Sequence, residues 1–222
     1  MLSSDLSFTV QINGVIQRAS QMVGWALRSF RGRSTFLLIT ILKSLVQPHL
    51  DYCSQLWSPN SQGQINSIEQ VQRNLVSKVQ DRRLENCNYW EKLGVLKLLS
   101  QERRRERYEI IFIWKITQGL VEGYDMSFTD KSCRTGRKAI PAHVLSSAPA
   151  SVRRAKSASL SVKGAQLFNL MPASLRNSDH ADVPMFKNHL DHIPDQPTSP
   201  GLGRAAATNS LLHQVPMYEA SI

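Results

Sequence analysis

The sequence has 222 residues, of which 41% are hydrophobic, and it carries a formal net charge of +10. The apolar content is ordinary for a globular protein, which excludes a chain that is disordered throughout. The longest strongly apolar run without a charge, residues 34–42, is far shorter than the roughly 20 residues that cross a bilayer. The composition therefore predicts a basic globular protein with no membrane-spanning helix.

The positive charge is distributed unevenly along the chain. Residues 1–100 and residues 101–154 each carry 11 Lys/Arg against 6 Asp/Glu, whereas residues 155–222 carry 5 against 5. No acidic residue occurs between Asp130 and Asp179, a stretch that contains nine basic residues. Such a field favours a polyanionic partner, either nucleic acid or an acidic membrane surface. The alternative is a basic protein kept soluble by its charge.

Cysteine usage indicates the compartment. Cys53, Cys87 and Cys133 are too few and too scattered for a disulfide framework, and no Asn-x-Ser/Thr sequon occurs. The N-terminal residues lack the charged head and the apolar core of a signal peptide. These features predict an intracellular protein, in the nucleus or the cytoplasm.

The first predicted element is an amphipathic helix over residues 9–30. Its apolar residues recur at the i, i+3, i+4, i+7 spacing of one helix face. We expect Thr9 to cap its start and Gly32 to end it. Arg18 and Arg28 lie on the opposite, polar face, where Trp25 is the one misfit.

Three further helices are predicted before residue 100. Residues 35–57 are apolar on nearly every side, which indicates a central buried helix, capped by Ser34 and kinked at Pro48. Residues 58–64 form a turn before a helix that presents one apolar face. That face consists of Ile65, Ile68, Val71, Leu75 and Val79. A short helix follows within residues 88–99.

The next helix begins at Ser100, its expected N-cap, and stops near Gly119. The five apolar residues 110–114 predict that its second half is core. Its first half interleaves four arginines with glutamates at spacings that allow pairing between rows. We expect that half to face solvent, either as a self-neutralised surface or as one that contacts nucleic acid.

Beyond residue 123 the composition shifts to Ser, Ala and Pro with isolated apolar residues. Residues 139–145 and 157–162 have the pattern of short strands, and residues 163–177 and 183–193 each suggest a helix. We therefore predict a mainly α fold with a helical domain (1–123), a small basic α+β extension (124–193) and a mostly disordered tail (194–222).

Catalytic motifs are lacking in this sequence. No two acidic residues are adjacent, which excludes the paired aspartates that hold two magnesium ions in polymerases. No P-loop, GxGxxG turn, GxSxG elbow or HExxH pair occurs. His49 and Cys53 are the nearest to a metal pair, and an ordinary histidine beside a buried thiol explains them better. We expect no enzyme activity, no cofactor and no metal site.

Binding of nucleic acid is the remaining chemistry, since basic side chains neutralise phosphates and neighbouring aromatic or amide groups stack on or contact bases. The candidate phosphate-binding residues are Arg18, Arg28, Arg31, Arg33, Arg103, Arg107, Arg134, Arg137, Lys138, Arg153, Arg154 and Lys156. Of these we expect the acid-free run and the first helix to matter most, so losing Arg103 and Arg107 should weaken binding less than losing Arg153 and Arg154.

Several segments, taken in order, carry a resemblance to a known family. They are "SSDLSFTVQINGVIQRASQMVGWALRSFRGR", "LKSLVQPHLDYCSQLWSP", "INSIEQVQRNLVSKV", "NYWEKLGVLKLLSQERRRERYEIIFIWKITQGLV" and "KGAQLFNLMPASLRN". This collinear set resembles the segment after the catalytic palm of non-LTR, LINE-type, jockey-like retrotransposon reverse transcriptases. The likeness extends over nearly the whole chain.

The resemblance implies a helical thumb-like bundle followed by a post-thumb region, from an RNA-directed DNA polymerase whose palm and endonuclease are lacking here. It implies that the first helix lies along a primer-template duplex, with Arg18 and Arg28 on the phosphate side. The implied partners are RNA-DNA hybrid, RNA or DNA backbone, and a palm domain supplied by another chain. The alternative is an inert relic, or a protein-interaction remnant, of a truncated mobile element.

Overall fold

The computed structural model describes residues 8–59, 61–123, 159–171, 176 and 182–191, and within these ranges all regular structure is helical. The α-helices are α1 (Thr9–Ser29), α2 (Thr35–Ile41), α3 (Gln47–Asp51), α4 (Ser54–Trp57), α5 (Gln62–Val76), α6 (Tyr89–Leu96), α7 (Gln101–Thr117), α8 (Leu160–Leu170) and α9 (Val183–Asp191). A π-helical turn (Leu42–Val46) joins α2 to α3, and a 3-10 turn (Arg82–Leu84) precedes α6. The mainly α prediction is confirmed.

Only the second of the two predicted strands can be compared with the structure, and the predicted tail cannot. Residues 160–162, the end of the second predicted strand, form the first turn of α8, so that strand is wrong there. The first predicted strand, 139–145, and the tail, 194–222, lie outside the described residues. No helix in the described ranges is both long enough and apolar enough to cross a bilayer.

The chain divides into two compact units, Met1–Arg105 and Glu106–Ile222. The division falls inside α7, ahead of the boundary expected at residue 123. Each unit has its own cluster of buried apolar side chains.

Helix α1 is held in the first unit by its apolar stripe. Ile12, Val15, Ala19, Val23 and Ala26 are buried, and the helix packs on α5, α3 and the π-helical turn. Because these side chains recur every three or four residues, their burial leaves the opposite side of the helix in solvent.

The ends of α1 differ from the prediction. Thr9 is the first helical residue, and Phe8 occupies the N-cap position without a side-chain hydrogen bond. At the other end the backbone becomes extended at Phe30. The Arg33 guanidinium there donates to the carbonyls of Phe30 and Leu27, the latter at 2.9 Å. The helix therefore ends before Gly32, and an arginine satisfies its terminal carbonyls.

Residues 35–57 form a broken helical segment and not one kinked helix. Ser34 does cap α2, accepting the N–H of Leu37. Pro48 has no N–H to donate to the preceding turn, and a π-helical turn lies immediately ahead of α3. After α3 the chain turns at Cys53, whose φ of 50° is left-handed.

This segment is also less buried than its composition predicts. Leu38, Leu42 and Leu50 are fully buried, but Phe36 and Tyr52 are 83% and 76% exposed. Some large side chains of this segment therefore lie in solvent, outside the core of the first unit.

Helix α5 supplies the central contact of the first unit. The predicted apolar face is confirmed, since Ile65, Ile68, Val71, Leu75 and Val79 are all buried, although the helix ends at Val76. The predicted short helix is present as α6, which Asn88 caps through a reciprocal capping box with Glu91.

A buried polar network joins α5 and α6 to the start of α7. Oε2 of Glu69 accepts the Gln101 N–H at 2.7 Å, and its other oxygen accepts the Tyr89 hydroxyl. Gln72 donates to the Leu99 carbonyl at 3.1 Å. Burial raises the pKa of Glu69, although the bonds from Tyr89 and Gln101 oppose the shift. Burial also raises the pKa of Tyr89, which keeps its hydroxyl a donor.

The first half of α7 is not the solvated face that we expected. Ser100 accepts the Arg103 N–H at 3.1 Å, which confirms the N-cap. However, Arg103 and Arg105 are only 4% and 2% exposed. The cause is the anchoring of this turn, since Glu69 accepts the first N–H of the helix.

Helix α3 provides a second anchor for α7. The Arg104 guanidinium makes a two-pronged contact with the Asp51 carboxylate, with Nε and Nη2 each 2.8 Å from Oδ2. Such paired, charge-assisted bonds fix both distance and orientation. Arg104 is therefore a structural residue of the first unit.

The second unit packs the rest of α7 with α8 and α9. Ile110, Ile113 and Trp114 are fully buried, as predicted. The Trp114 ring stacks on Phe186 with centroids 4.4 Å apart. Gly164 permits the close approach of α7 and α8, because an added Cβ there would lie 2.7 Å from Ile113 Cγ1.

Candidate nucleic-acid interface

Half of the predicted phosphate-binding residues fall within the described part of the chain. These are Arg18, Arg28, Arg31, Arg33, Arg103 and Arg107. The other six, Arg134, Arg137, Lys138, Arg153, Arg154 and Lys156, lie outside the described residues, so their role stays a prediction. Three of the six described arginines are exposed, and the other three are buried or bonded to other protein groups.

Two arginines of the exposed group lie on α1. Arg18, Gln21, Trp25 and Arg28 are all exposed, and their spacing of three or four residues places them along one side of the helix, which we call the outer face of α1. The ten residues from Arg18 to Arg28 rise about 15 Å along the helix. That length corresponds to about four nucleotides of one B-form strand.

The stretch of sequence around the outer face carries positive charges and no negative ones. No acidic residue occurs between Asp5 and Asp51, a stretch that contains Arg18, Arg28, Arg31, Arg33 and Lys43. Within the described ranges, no hydrogen bond or ion pair to another protein group occupies Arg18, Arg28 or Arg31. The sequence prediction was based on the longer acid-free run after Asp130 and did not use this second run.

Aromatic rings accompany these cations. Trp25 and Phe30 are 46% and 39% exposed, and their rings meet edge to face with centroids 6.2 Å apart. Arg28 Nη1 lies 3.3 Å from where a Cβ on Gly24 would be, so the arginine runs back along the helix. The misfit tryptophan of the sequence thus shares an exposed helix side with two arginines, an arrangement suited to stacking on a nucleobase.

The remaining three arginines are buried or bonded to other protein groups. Arg33 donates to the C-terminal carbonyls of α1, so its guanidinium is occupied by the fold. Arg103 is buried at the start of α7. Arg107 donates from Nη2 to Asp191 Oδ2 at 2.7 Å, within the second unit. The expectation that Arg103 to Arg107 form a solvent-facing surface is therefore wrong for Arg103 and Arg105, which are buried. Arg107 is half-buried, and its pair with Asp191 lies at the surface.

A small pocket adjoins the outer face at Arg18. Its walls come from α1 and from the segment around α3, and its volume is about 240 Å³. It is lined by Gln11, Val15, Arg18, Pro48, His49 and Tyr52. A guanidinium, an imidazole, an amide and a phenol thus meet in one concave site. The sequence did not predict this pocket, because His49 reads as an ordinary histidine there and no local pattern singles out Tyr52.

Metal chemistry finds no support in the described part of the chain. No group of three or more His, Cys, Asp or Glu side chains there is arranged to hold a metal ion. Cys53 is exposed, contrary to the buried thiol expected beside His49, and it is a free thiol, as is Cys87. The groups that do converge are donors and aromatic rings, which bind anions and stack on bases.

Comparison with known proteins identifies no relative, since no family model, no curated protein and no solved structure matches this chain.

Proposed function

We propose that this chain is a non-catalytic nucleic-acid-binding module, the thumb and post-thumb part of a non-LTR retrotransposon reverse transcriptase, which grips a primer-template without polymerase chemistry of its own. The observation that carries this proposal is the outer face of α1, where exposed arginines alternate with Gln21 and Trp25 in a segment without acidic residues. The collinear resemblance of the sequence supports the same assignment.

The way α1 is packed favours a surface role for its polar side. The apolar stripe of this helix is buried against α5 and α3. The stripe therefore does not require a missing palm domain to cover it, as the relic interpretation supposes. The polar side of α1 is left to contact a ligand in solvent.

A filter-binding titration of the full chain against an RNA-DNA hybrid tests this proposal. We expect binding at about 50 mM salt and a linear fall of log K with log salt, because phosphate contacts release counterions. Arg18→Gln with Arg28→Gln should reduce the slope by about 1.8, from about 0.9 per lost phosphate contact.

The matched control removes the same charge from α6 and its C-cap. Lys92→Gln with Lys97→Asn lowers the net charge by two, and asparagine suits the left-handed backbone of Lys97, whose φ is 52°. We expect this variant to retain the wild-type slope. Absence of binding at about 50 mM salt, or equal losses in both variants, would contradict the proposal.

Primer extension checks the non-catalytic part of the proposal. The chain contains no pair of adjacent acidic residues to hold two magnesium ions. The protein alone should therefore extend no primer on an RNA template. Extension by purified protein would contradict this.

One observation favours a second candidate, a protein-interaction remnant. Phe36 on α2 is 83% exposed and Leu56 on α4 is 67% exposed. Large apolar side chains in solvent suit a protein partner such as a palm domain from another chain. Sedimentation of the wild-type chain and of Phe36→Ser distinguishes the two candidates, since self-association relieved by the substitution, without hybrid binding, would favour the remnant.

A further inference from the structure

The pocket beside Arg18 differs in character from the outer face of α1. It is concave, whereas the outer face is one side of a helix, and it adds His49 and Tyr52 from the α3 segment. Its volume of about 240 Å³ is below the roughly 300–1,000 Å³ of pockets that enclose drug-sized ligands. The pocket therefore suits one small planar group and not a base pair.

The backbone fixes Tyr52 in an exposed position at the rim. The tyrosine follows the last residue of α3, and its carbonyl accepts the Trp57 indole N–H at 2.9 Å. Next to it, Cys53 adopts the left-handed conformation, which is uncommon for a residue other than glycine. Asp51, on its other side, is held by Arg104. An aromatic ring that is 76% exposed is thus presented by a firmly held turn.

We propose that this pocket binds one unpaired nucleotide at the end of a nucleic-acid strand, and this proposal rests on the proposed function. The base stacks on the Tyr52 ring, because every base offers a flat face to an aromatic side chain. The phosphate next to it is held by the Arg18 guanidinium, with His49 as a second donor. The Gln11 amide, which both donates and accepts, contacts the edge of the base.

Arg18 connects this pocket to the outer face of α1. The same side chain lines the pocket and begins the row that runs through Gln21 to Arg28. In this proposal a duplex bound along the outer face ends beside the pocket, and a nucleotide beyond the last base pair is the part that reaches it. The pocket distinguishes a frayed or overhanging end from a blunt one.

Fluorescence anisotropy with two RNA-DNA hybrids that have the same number of base pairs tests this proposal. One hybrid is blunt and the other carries a single unpaired nucleotide at one end, with both polarities of overhang measured. We expect wild-type protein to bind one overhang about 5- to 150-fold more tightly than the blunt hybrid, the range that loss of one aromatic stacking contact produces.

Variants at Tyr52 assign the preference to the pocket. Tyr52→Ala should bind both hybrids with the affinity of wild type for the blunt one, whereas Tyr52→Phe, which keeps the ring, should retain the preference. Because the side chain is 76% exposed, neither change removes core packing. Unchanged far-UV circular dichroism confirms the fold.

The outcomes separate the pocket from the proposed function. Binding of neither hybrid would contradict both. Equal binding of blunt and overhanging hybrids by wild type, or a preference that survives Tyr52→Ala, would overturn the pocket alone. A nucleoside monophosphate that abolishes the preference supports recognition of the nucleotide itself, and a preference that resists it supports recognition of the strand end.

Discussion

Replacement of Glu69 by leucine should destabilise the first unit more than any surface substitution. The change removes the acceptor of the buried Gln101 N–H and of the Tyr89 hydroxyl. A buried donor without an acceptor costs about 1–3 kcal/mol. Tyr89 is half-buried, so its hydroxyl can turn towards water and lose about 0.5–1.5 kcal/mol. The sum predicts a loss of about 1.5–4.5 kcal/mol in the free energy of unfolding.

Urea unfolding at pH 7, followed by far-UV circular dichroism, measures this loss. Glu69→Gln keeps one acceptor oxygen and should cost about 1 kcal/mol, and Tyr89→Phe, which removes only the hydroxyl, should cost a similar amount. Amide exchange at Gln101 should accelerate in Glu69→Leu. A leucine variant within about 0.5 kcal/mol of wild type, the range of ordinary surface substitutions, would refute the reasoning.

The pH dependence of the same variants has a defined sign. Burial raises the pKa of Glu69 above the ordinary 4.5, so the folded chain binds this proton more tightly than the unfolded chain does. The resulting stabilisation is fully present below about pH 4.5 and is lost as the pH rises through the folded pKa. The stability of wild type relative to Glu69→Gln should therefore fall as the pH is raised. A relative rise in stability would contradict the raised pKa of Glu69.

Three further substitutions test the packing. Arg104→Ala should lower stability by about 1.5–3 kcal/mol through loss of its charged bonds to Asp51, with Arg104→Lys intermediate, as thermal melts will show. Ile68→Ala, at a fully buried position, should cost about 2–5 kcal/mol in urea, and a value under 1 would mean that α5 is not central. Gly164→Ala places a Cβ 2.7 Å from Ile113 Cγ1 and should cost about 1–3 kcal/mol, and the double variant with Ile113→Ala should lose less than the sum of the two single losses, because the alanine removes the clash.

Sequence periodicity was sufficient for the elements that depend on local chemistry. The stripes of α1 and α5 and the caps at Ser34 and Ser100 follow from short-range spacing, and all four are present. Such features depend on residues within one or two turns of each other. They require no knowledge of the tertiary partner.

Long-range pairing was the part that the sequence did not reveal. The arginines at the start of α7 looked solvated because glutamates interleave with them. Their environment instead depends on Glu69 and Asp51, which lie 32 and 53 residues away from Gln101 and Arg104. No local pattern encodes such partners.

The candidate site was likewise predictable where it depends on local spacing and not where it depends on distant residues. The outer face of α1 was predictable because it is the complement of an apolar stripe. The pocket was not, because it requires Arg18 on α1 and Tyr52 after α3 to line one site, and the connection between these helices includes α2 and a π-helical turn. The removal of Arg33 from the binding group likewise depends on where α1 ends.

The most direct test of the central claim is nuclear magnetic resonance of the four tryptophan indole N–H groups. Trp25 is 46% exposed on the proposed interface, whereas Trp57 and Trp114 are 3% and 0% exposed and serve as internal controls. Saturation with RNA-DNA hybrid at low salt should shift or broaden the Trp25 resonance and leave those two unchanged. A Trp25 resonance that stays in place while hybrid is bound would contradict binding through the outer face of α1.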